Sequence, residues 1–208
     1  MTMTALTDLQ RDALLEIFNI GVGNAANSMS QLIDEEIKLS VPKLQIVLGD
    51  HAEVISAFIQ SQRICAVSQN FSGPLNARAF LVFPEGKTHE IVRRMLGEMV
   101  SADELNTMEE EALSEIGNIV LNACISSMSD LLQSDFTSSQ PFYHLGTTHS
   151  VLAPDSVADD QFMLLLHIDF SMPKEKIDGY LVFLLNVQSF NELVRKVDRL
   201  LSESAGQP

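Results

Sequence analysis

Glu16 and Asn19 place a carboxylate and a primary amide three residues apart, and the same pair returns as Glu115 and Asn118. On a helix that spacing puts both side chains on one face. Asp12 and Glu111 lie one turn earlier on the same face, so each copy presents an acid–acid–amide row. Acid pairs at i, i+4 repel slightly, and Asn is a mediocre helix former. The row therefore does not serve the helix itself. It suits chemistry in which groups are held in place. A carboxylate holds a partner's cation, and an amide, being donor and acceptor at once, holds a water in line for attack. That is the logic of phosphoryl hydrolysis, where positioning does most of the work. No Ser–His or Cys–His pairing, Walker loop or basic cluster accompanies the row, so a phosphoryl group and its metal would arrive with a partner. The competing reading is a solvated helix face that survived duplication.

The duplication is explicit in the sequence. Residues 12–34 and 111–133 match at 10 of 23 positions at an offset of 99, without a gap. Pro42 recurs as Pro141, Phe71-Ser72 and Pro74 as Phe170-Ser171 and Pro173, and Leu81-Val82-Phe83 as Leu181-Val182-Phe183 at an offset of 100. Two copies make a pseudo-symmetric unit and not a solenoid. The reading is one domain over residues 1–208, built from repeats of about 1–100 and 101–201, with 202–208 fraying as a tail. Each repeat opens with a long helix. Leu9, Ala13, Ile17, Ile20, Ala25, Met29 and Leu32 give the first an apolar stripe. Leu105, Met108, Ala112, Ile116, Ile119, Ala123 and Met128 do the same in the second. Thr7 with Gln10, Ser101 with Glu104 and Ser189 with Glu192 read as capping boxes. Extended segments follow at 38–48, 63–71 and 76–83, then at 162–170 and 179–185, and a helix closes each repeat at 89–99 or 190–201. Short turns between strands favour antiparallel pairing. The expected fold class is α+β: a mostly antiparallel sheet with long helices packed on it, in pseudo-two-fold duplication. Residues 134–160 are polar and irregular and receive no assignment. Pro42 and Pro141 fix φ and remove a donor, so each is expected to end a strand pairing and support the row.

The pattern Asp12-x3-Glu16-x2-Asn19-x22-Pro42, with its copy Glu111-x3-Glu115-x2-Asn118-x22-Pro141, resembles the phosphatase motif of the CheC, CheX and FliY group of bacterial chemotaxis proteins. The resemblance covers nearly the whole chain. It implies hydrolysis of the phospho-aspartate of a CheY-type response regulator. Glu16 and Glu115 would pair with the regulator's active-site lysine, and Asn19 and Asn118 would position the attacking water. The Mg²⁺ would belong to the regulator, with no cofactor or metal of this chain's own. The resemblance also implies the receptor deamidase CheD as a partner, so a non-catalytic adaptor for a regulator or for CheD is the alternative function. The length suits a free-standing CheC better than a flagellar-switch member, which carries an extra domain. Two positions depart from the family. Glu111 stands where the family has Asp or Ser, which makes it a partner contact and not a catalytic group. Phe18 stands where the family has Gly, kept as Gly117; its ring either crowds the partner or is buried. On that ground the second site ranks ahead of the first.

Composition narrows the rest. Lys plus Arg number 13 and Asp plus Glu 28, a net charge of −15, which excludes a nucleic-acid phosphate stripe and disfavours an anionic membrane surface. No apolar run approaches the ~20 residues of a membrane helix. The N-terminal residues lack a basic n-region, so a cytoplasmic protein is expected. His144 and His149, with Asp155, Asp159 and Asp160 downstream, lack diagnostic metal spacing. Cys65 and Cys124 read as buried small hydrophobes, and Gly21 and Gly23 as sites of close helix packing, since no strand precedes them.

Overall fold

Thr7 sets the start of the first helix. Its Oγ1 accepts from the Gln10 N–H at 3.2 Å, while the Thr7 N–H donates to Gln10 Oε1 at 2.8 Å, closing the reciprocal box that satisfies two first-turn donors. The computed structural model describes residues 6–48, 63–96, 101–152, 161–172 and 175–205. Among them the order is α1 (Asp8–Ile33), β1 (Lys38–Leu48), β2 (Arg63–Ser72), β3 (Ala77–Pro84), α2 (His89–Leu96), α3 (Ala102–Leu132), β4 (Thr137–Ser138), β5 (Phe142–Thr147), α4 (Thr148–Leu152), β6 (Gln161–Met172), β7 (Glu175–Asn186) and α5 (Val187–Ala205).

The strands form one seven-stranded antiparallel sheet in the order β1-β6-β7-β3-β2-β4, with β5 also on β2. The α+β expectation holds. The register carries the duplication into three dimensions. Leu81 of β3 lies opposite Leu181 of β7, its own repeat partner, and the pairs Phe80↔Val182 and Val82↔Tyr180 exchange under the same relation. A local pseudo-dyad therefore passes between the two leucines. The outer strands cross over: β1 adds to β6 with Lys43 opposite His167, and β5 adds to β2 with Phe142 opposite Ser68, the same pairing shifted by 99 residues. Each copy's first strand thus completes the other copy's sheet.

Strand residues alternate between two cores. Val67, Phe71, Leu81, Phe83, Leu164, Leu166 and Ile168 face α1, α3 and α5 in the larger core. Ile64, Ala66, Phe80, Val82, Leu165 and Val182 face the other way, with Val151 and Leu152 of α4, in a smaller one. The long helices pack on each other at Gly21, where a Cβ would lie 2.7 Å from the Cys124 Cα. Gly23 meets nothing within 4 Å, so only the first of the two glycines expected to serve close packing does so.

Several expectations shift. The buried face of α1 is Leu14, Ile17, Phe18, Val22, Ala25 and Met29, while Leu9, Ile20 and Leu32 are exposed. The helix contacts α3 and the sheet at once, and that double contact rotates the stripe. In α3, Leu105, Ala112, Ile116 and Met128 are buried and Met108 is exposed. The Ser189 box is replaced: α5 starts three residues earlier, with the Ser189 N–H donating to Asn186 Oδ1 at 2.8 Å and the Ser189 hydroxyl accepting from the Asn76 N–H. Glu192 pairs with Arg195 instead. Of the Ser101 box, only the Leu105 N–H to Ser101 carbonyl bond falls among the described contacts. Helix α5 runs to Ala205, so the tail expected to fray from 202 is helical over its first four residues, and 206–208 lie outside the described residues. Strand β7 begins at Glu175, before the expected 179. The unassigned stretch holds β4, β5 and α4, with 153–160 outside the described residues.

The two glycines on α1 give opposite expectations. Gly21→Ala forces α1 off the backbone of α3 and should lower stability by about 1–3 kcal/mol. Gly23→Ala fills open space on a helix and should raise it by up to about 1 kcal/mol. Urea denaturation midpoints of the two variants check both signs.

Candidate active site

The first row lies along the outer face of α1. Asp12 and Glu16 are exposed, and neither has an ion pair or hydrogen bond among the described residues. Asn19 is half-buried and differently engaged. Its Nδ2 donates to the Val41 carbonyl at 3.4 Å, and its Oδ1 accepts from the Val41 N–H at 2.9 Å. Val41 sits where the β1–β6 register shifts by one residue, between Ser40 and Lys43, and Pro42 follows. Such a bulge leaves backbone groups without ladder partners. Asn19 supplies them. This accounts for the 22-residue spacing between Asn19 and Pro42. Pro42 does not end the strand, as was expected of it. It lies within β1, and β1 is an edge strand that tolerates a missing donor. Asn19 also borders an open groove of about 940 Å³ between α1 and β1, lined further by Asn24, Asn27, Gln31, Glu36 and Lys38.

The second row is held another way. Glu111 and Glu115 are exposed, again without partners among the described residues. Gly117 lies against β2 so closely that a Cβ would stand 2.4 Å from Val67 Cγ1. Two residues along the same face of β2 is Gln69, only 2% exposed. Gln69 Nε2 donates to Asn118 Oδ1 at 3.1 Å and to the Ser139 carbonyl at 3.0 Å. Asn122 Nδ2 donates to Asn118 Oδ1 at 2.8 Å and to Gln69 Oε1 at 3.3 Å. The Asn118 carbonyl oxygen therefore takes two donors, and its Nδ2 has no hydrogen-bond partner among the described residues. Pro141 is half-buried just before β5 and is reached only indirectly, through Gln69 and Ser139.

Phe18, the position that departs from the family's Gly, is fully buried and packs on Phe183 at 5.1 Å between ring centroids. It points into the core, away from any partner, which removes the crowding on which the second site was ranked ahead. Gln69 and Asn122 carry no sequence signal of their own, because neither is repeated: their counterparts at an offset of 99 are Ile168 and Gly23.

Residues 9–46, which span the first row and Pro42, match the model of the CheC-like family. The chain has similarity beyond that segment as well. It is 23% identical over 193 residues to the CheY-P phosphatase CheC of Bacillus subtilis, covering 88% of this chain and 91% of that protein. It is 24% identical over 203 residues to the flagellar motor switch phosphatase FliY of the same organism, covering 96% of this chain but 52% of FliY. The fold matches the crystal structure of Thermotoga maritima FliY, with a TM-score of 0.74 and 22% identity over 97% of this chain and 99% of that one. It also matches the complex of CheX with CheY, BeF3 and Mg²⁺ from Borrelia burgdorferi, with a TM-score of 0.52 and 13% identity over 83% of this chain and 98% of that one.

The remaining chemistry-bearing residues of the chain lie elsewhere. His144 Nε2 is 2.8 Å from Ser68 Oγ, and burial together with Arg78 holds its pKa below the usual imidazole range. His149 is exposed on α4, and Asp155, Asp159 and Asp160 lie outside the described residues. His167, Asp169 and Asp178 come within 4.8 Å of one another on the β6–β7 hairpin. Lys176 lies 3.0 Å from Asp169, and His167 bonds Asp178 at 3.1 Å, so the group is an ion-paired cluster. No described helix is long and apolar enough to cross a membrane.

Cys65 and Cys124 are buried, and burial pushes both thiols up to about 12. A raised thiol pKa leaves little thiolate at neutral pH. At pH 8 an aromatic disulfide reagent should therefore label neither cysteine in the folded protein and both in denaturant, read as released thiolate absorbance.

Proposed function

We propose that this chain is a protein aspartyl-phosphate phosphatase acting on a CheY-type response regulator in chemotaxis signalling. The carrying observation is the exposed, unpaired carboxylate one turn before a half-buried amide, present on both long helices. The named activity of the B. subtilis relatives supports it. In this reading Glu16 or Glu115 takes the ammonium of the regulator's lysine, an ion pair that docks the row over the phosphoryl group. The amide of Asn19 or Asn118 then holds a water on the side of phosphorus opposite the aspartate. Water oxygen bonds to phosphorus, the phosphorus–oxygen bond to the aspartate breaks, and its electron pair leaves on the carboxylate. The proton lost by water ends on the inorganic phosphate. Mg²⁺ comes with the regulator, as the composition of the CheX–CheY complex suggests. Asp12 and Glu111 border the contact, and Pro42 and Pro141 shape the segments behind it. The reaction belongs in the cytoplasm, where response regulators work.

A docking-only role for the first row, toward a regulator or toward CheD, is favoured by one observation. The Asn19 amide already spends its Oδ1 and one of its two Nδ2 hydrogens on Val41.

The deciding measurement is phosphate release from a phosphorylated CheY-type regulator, with Asn19→Ala, Asn118→Ala and the double variant, each checked by circular dichroism. Wild type should accelerate release by about 10²-fold, equivalent to roughly 2.7 kcal/mol of barrier, and the folded double variant should not. A wild type that binds the phosphorylated regulator without accelerating release overturns the phosphatase reading and leaves the adaptor.

A further inference from the structure

We infer that Gln69 and Asn122 are positioning residues for Asn118, and that this clamp exists at one of the two sites only, which makes the sites unequal. The inference rests on the phosphatase reading for its functional half and on geometry alone for its structural half.

Gln69 is a polar side chain in the larger core. A buried primary amide costs free energy unless its hydrogen bonds are made. Here both Nε2 hydrogens and the Oε1 acceptor have partners: Asn118 and Ser139 receive, and Asn122 donates. Asn122 also donates to the Asn118 backbone carbonyl at 2.8 Å, so its two Nδ2 hydrogens are shared among three acceptors, and the bond within one helical turn fixes its rotamer. Two donors on Asn118 Oδ1 allow only one orientation of that amide. The NH₂ group then points away from the clamp, and it is the half of the amide that can donate to a water oxygen.

The clamp needs α3 close to β2. Gly117 against Val67 provides that approach, and Gln69 is the next residue on the same strand face. At the first site Phe18 fills the position of Gly117 and Gly23 that of Asn122, while Ile168, from the second repeat, stands at the position of Gln69. Among the described residues no side chain hydrogen-bonds Asn19, and the strand backbone takes its Oδ1 and one Nδ2 hydrogen instead. Asn19 spends its Oδ1 and one Nδ2 hydrogen on Val41, which ties the amide to the strand and leaves one hydrogen for a water. Asn118 is already set.

Two measurements test this, and they fail separately. The first is a stability cycle that needs no substrate. Asn118→Ala should leave a Gln69 hydrogen unpaired in the core and lower the melting temperature. Gln69→Ile, which copies Ile168, should recover part of that loss when combined with it. Additive losses overturn the clamp, whether or not hydrolysis is seen. The second reads turnover in the Asn19→Ala background, so that only the second copy reports. Gln69→Ile and, independently, Asn122→Ala should lower kcat roughly tenfold, as misaligned groups do, with KM for the regulator unchanged. Unchanged kcat in a folded variant overturns the positioning role while leaving the phosphatase reading intact. Absence of hydrolysis by the wild type removes that reading and the positioning role with it, and the stability cycle still decides the clamp.

Discussion

The antiparallel pairing of β3 with β7, centred on Leu81 opposite Leu181, is the constraint from which the other features follow. It joins the two repeats edge to edge, so the sheet runs unbroken through both. Because β1 crosses to β6 and β5 crosses to β2, neither repeat can complete its sheet alone. An isolated copy would leave a buried strand unpaired and one face of its long helix uncovered, at a cost the backbone cannot meet with water. The close crossing at Gly21 and Cys124 then locks α1 to α3 on the same side of the sheet. Two helices fixed in this way carry their rows as parts of one rigid frame, and a docking face built on helices is more accurate than one built on loops.

Within that frame the separation of each helix from the sheet is the variable that distinguishes the copies. Gly117 brings α3 into contact with Val67, whereas Phe18 places an aromatic ring between α1 and the strands and packs it, tilted, on Phe183. One residue difference therefore decides which groups can reach the amide. At the near helix, a strand side chain meets it. At the propped helix, the bulged edge strand does. The motif Asn-x22-Pro is the same in both copies, yet in the first it describes a direct clasp on the residue before the proline, and in the second the clasp is relayed by Gln69 to Ser139. A spacing can thus be retained while its physical content changes.

Much of this was legible in the sequence. The repeat gave the helices, the strand segments and the rows, because all three leave periodic or duplicated marks. Thr7 with Gln10 marked the start of α1 for a local reason, a reciprocal bond needing no tertiary contact. What was missed depends on tertiary contact. The stripe through Leu9, Ile20 and Leu32 is helical in period but lies on the exposed side, because α1 packs against α3 and the sheet together and apolar residues occur on both sides of the helix. Ser189 looked like a cap, and Asn186 takes that place, since the helix begins directly where β7 ends, with no linker between them. Pro42 looked like a strand end, and edge position lets the strand continue through it. Gln69 and Asn122 were invisible because duplication was the search signal, and they are what the duplication did not keep.

The buried glutamine shows why the divergence took this form. A polar side chain in a core is tolerated only when every hydrogen bond is made, and a partly satisfied network is worse than an apolar core. Placing Gln69 beneath α3 therefore required Asn118, Asn122 and the Ser139 carbonyl together, and each is useless for this purpose without the others. The first site has the other self-consistent solution: Ile168 needs no partner, Gly23 offers none, and the Asn19 amide is left to the backbone. Intermediates between the two arrangements would strand a buried donor, at about 1–3 kcal/mol each. Two stable arrangements separated by such intermediates are what a duplicated core can hold without drifting back to symmetry. The exposed glutamates carry no such coupling, so they could stay identical while everything behind them changed.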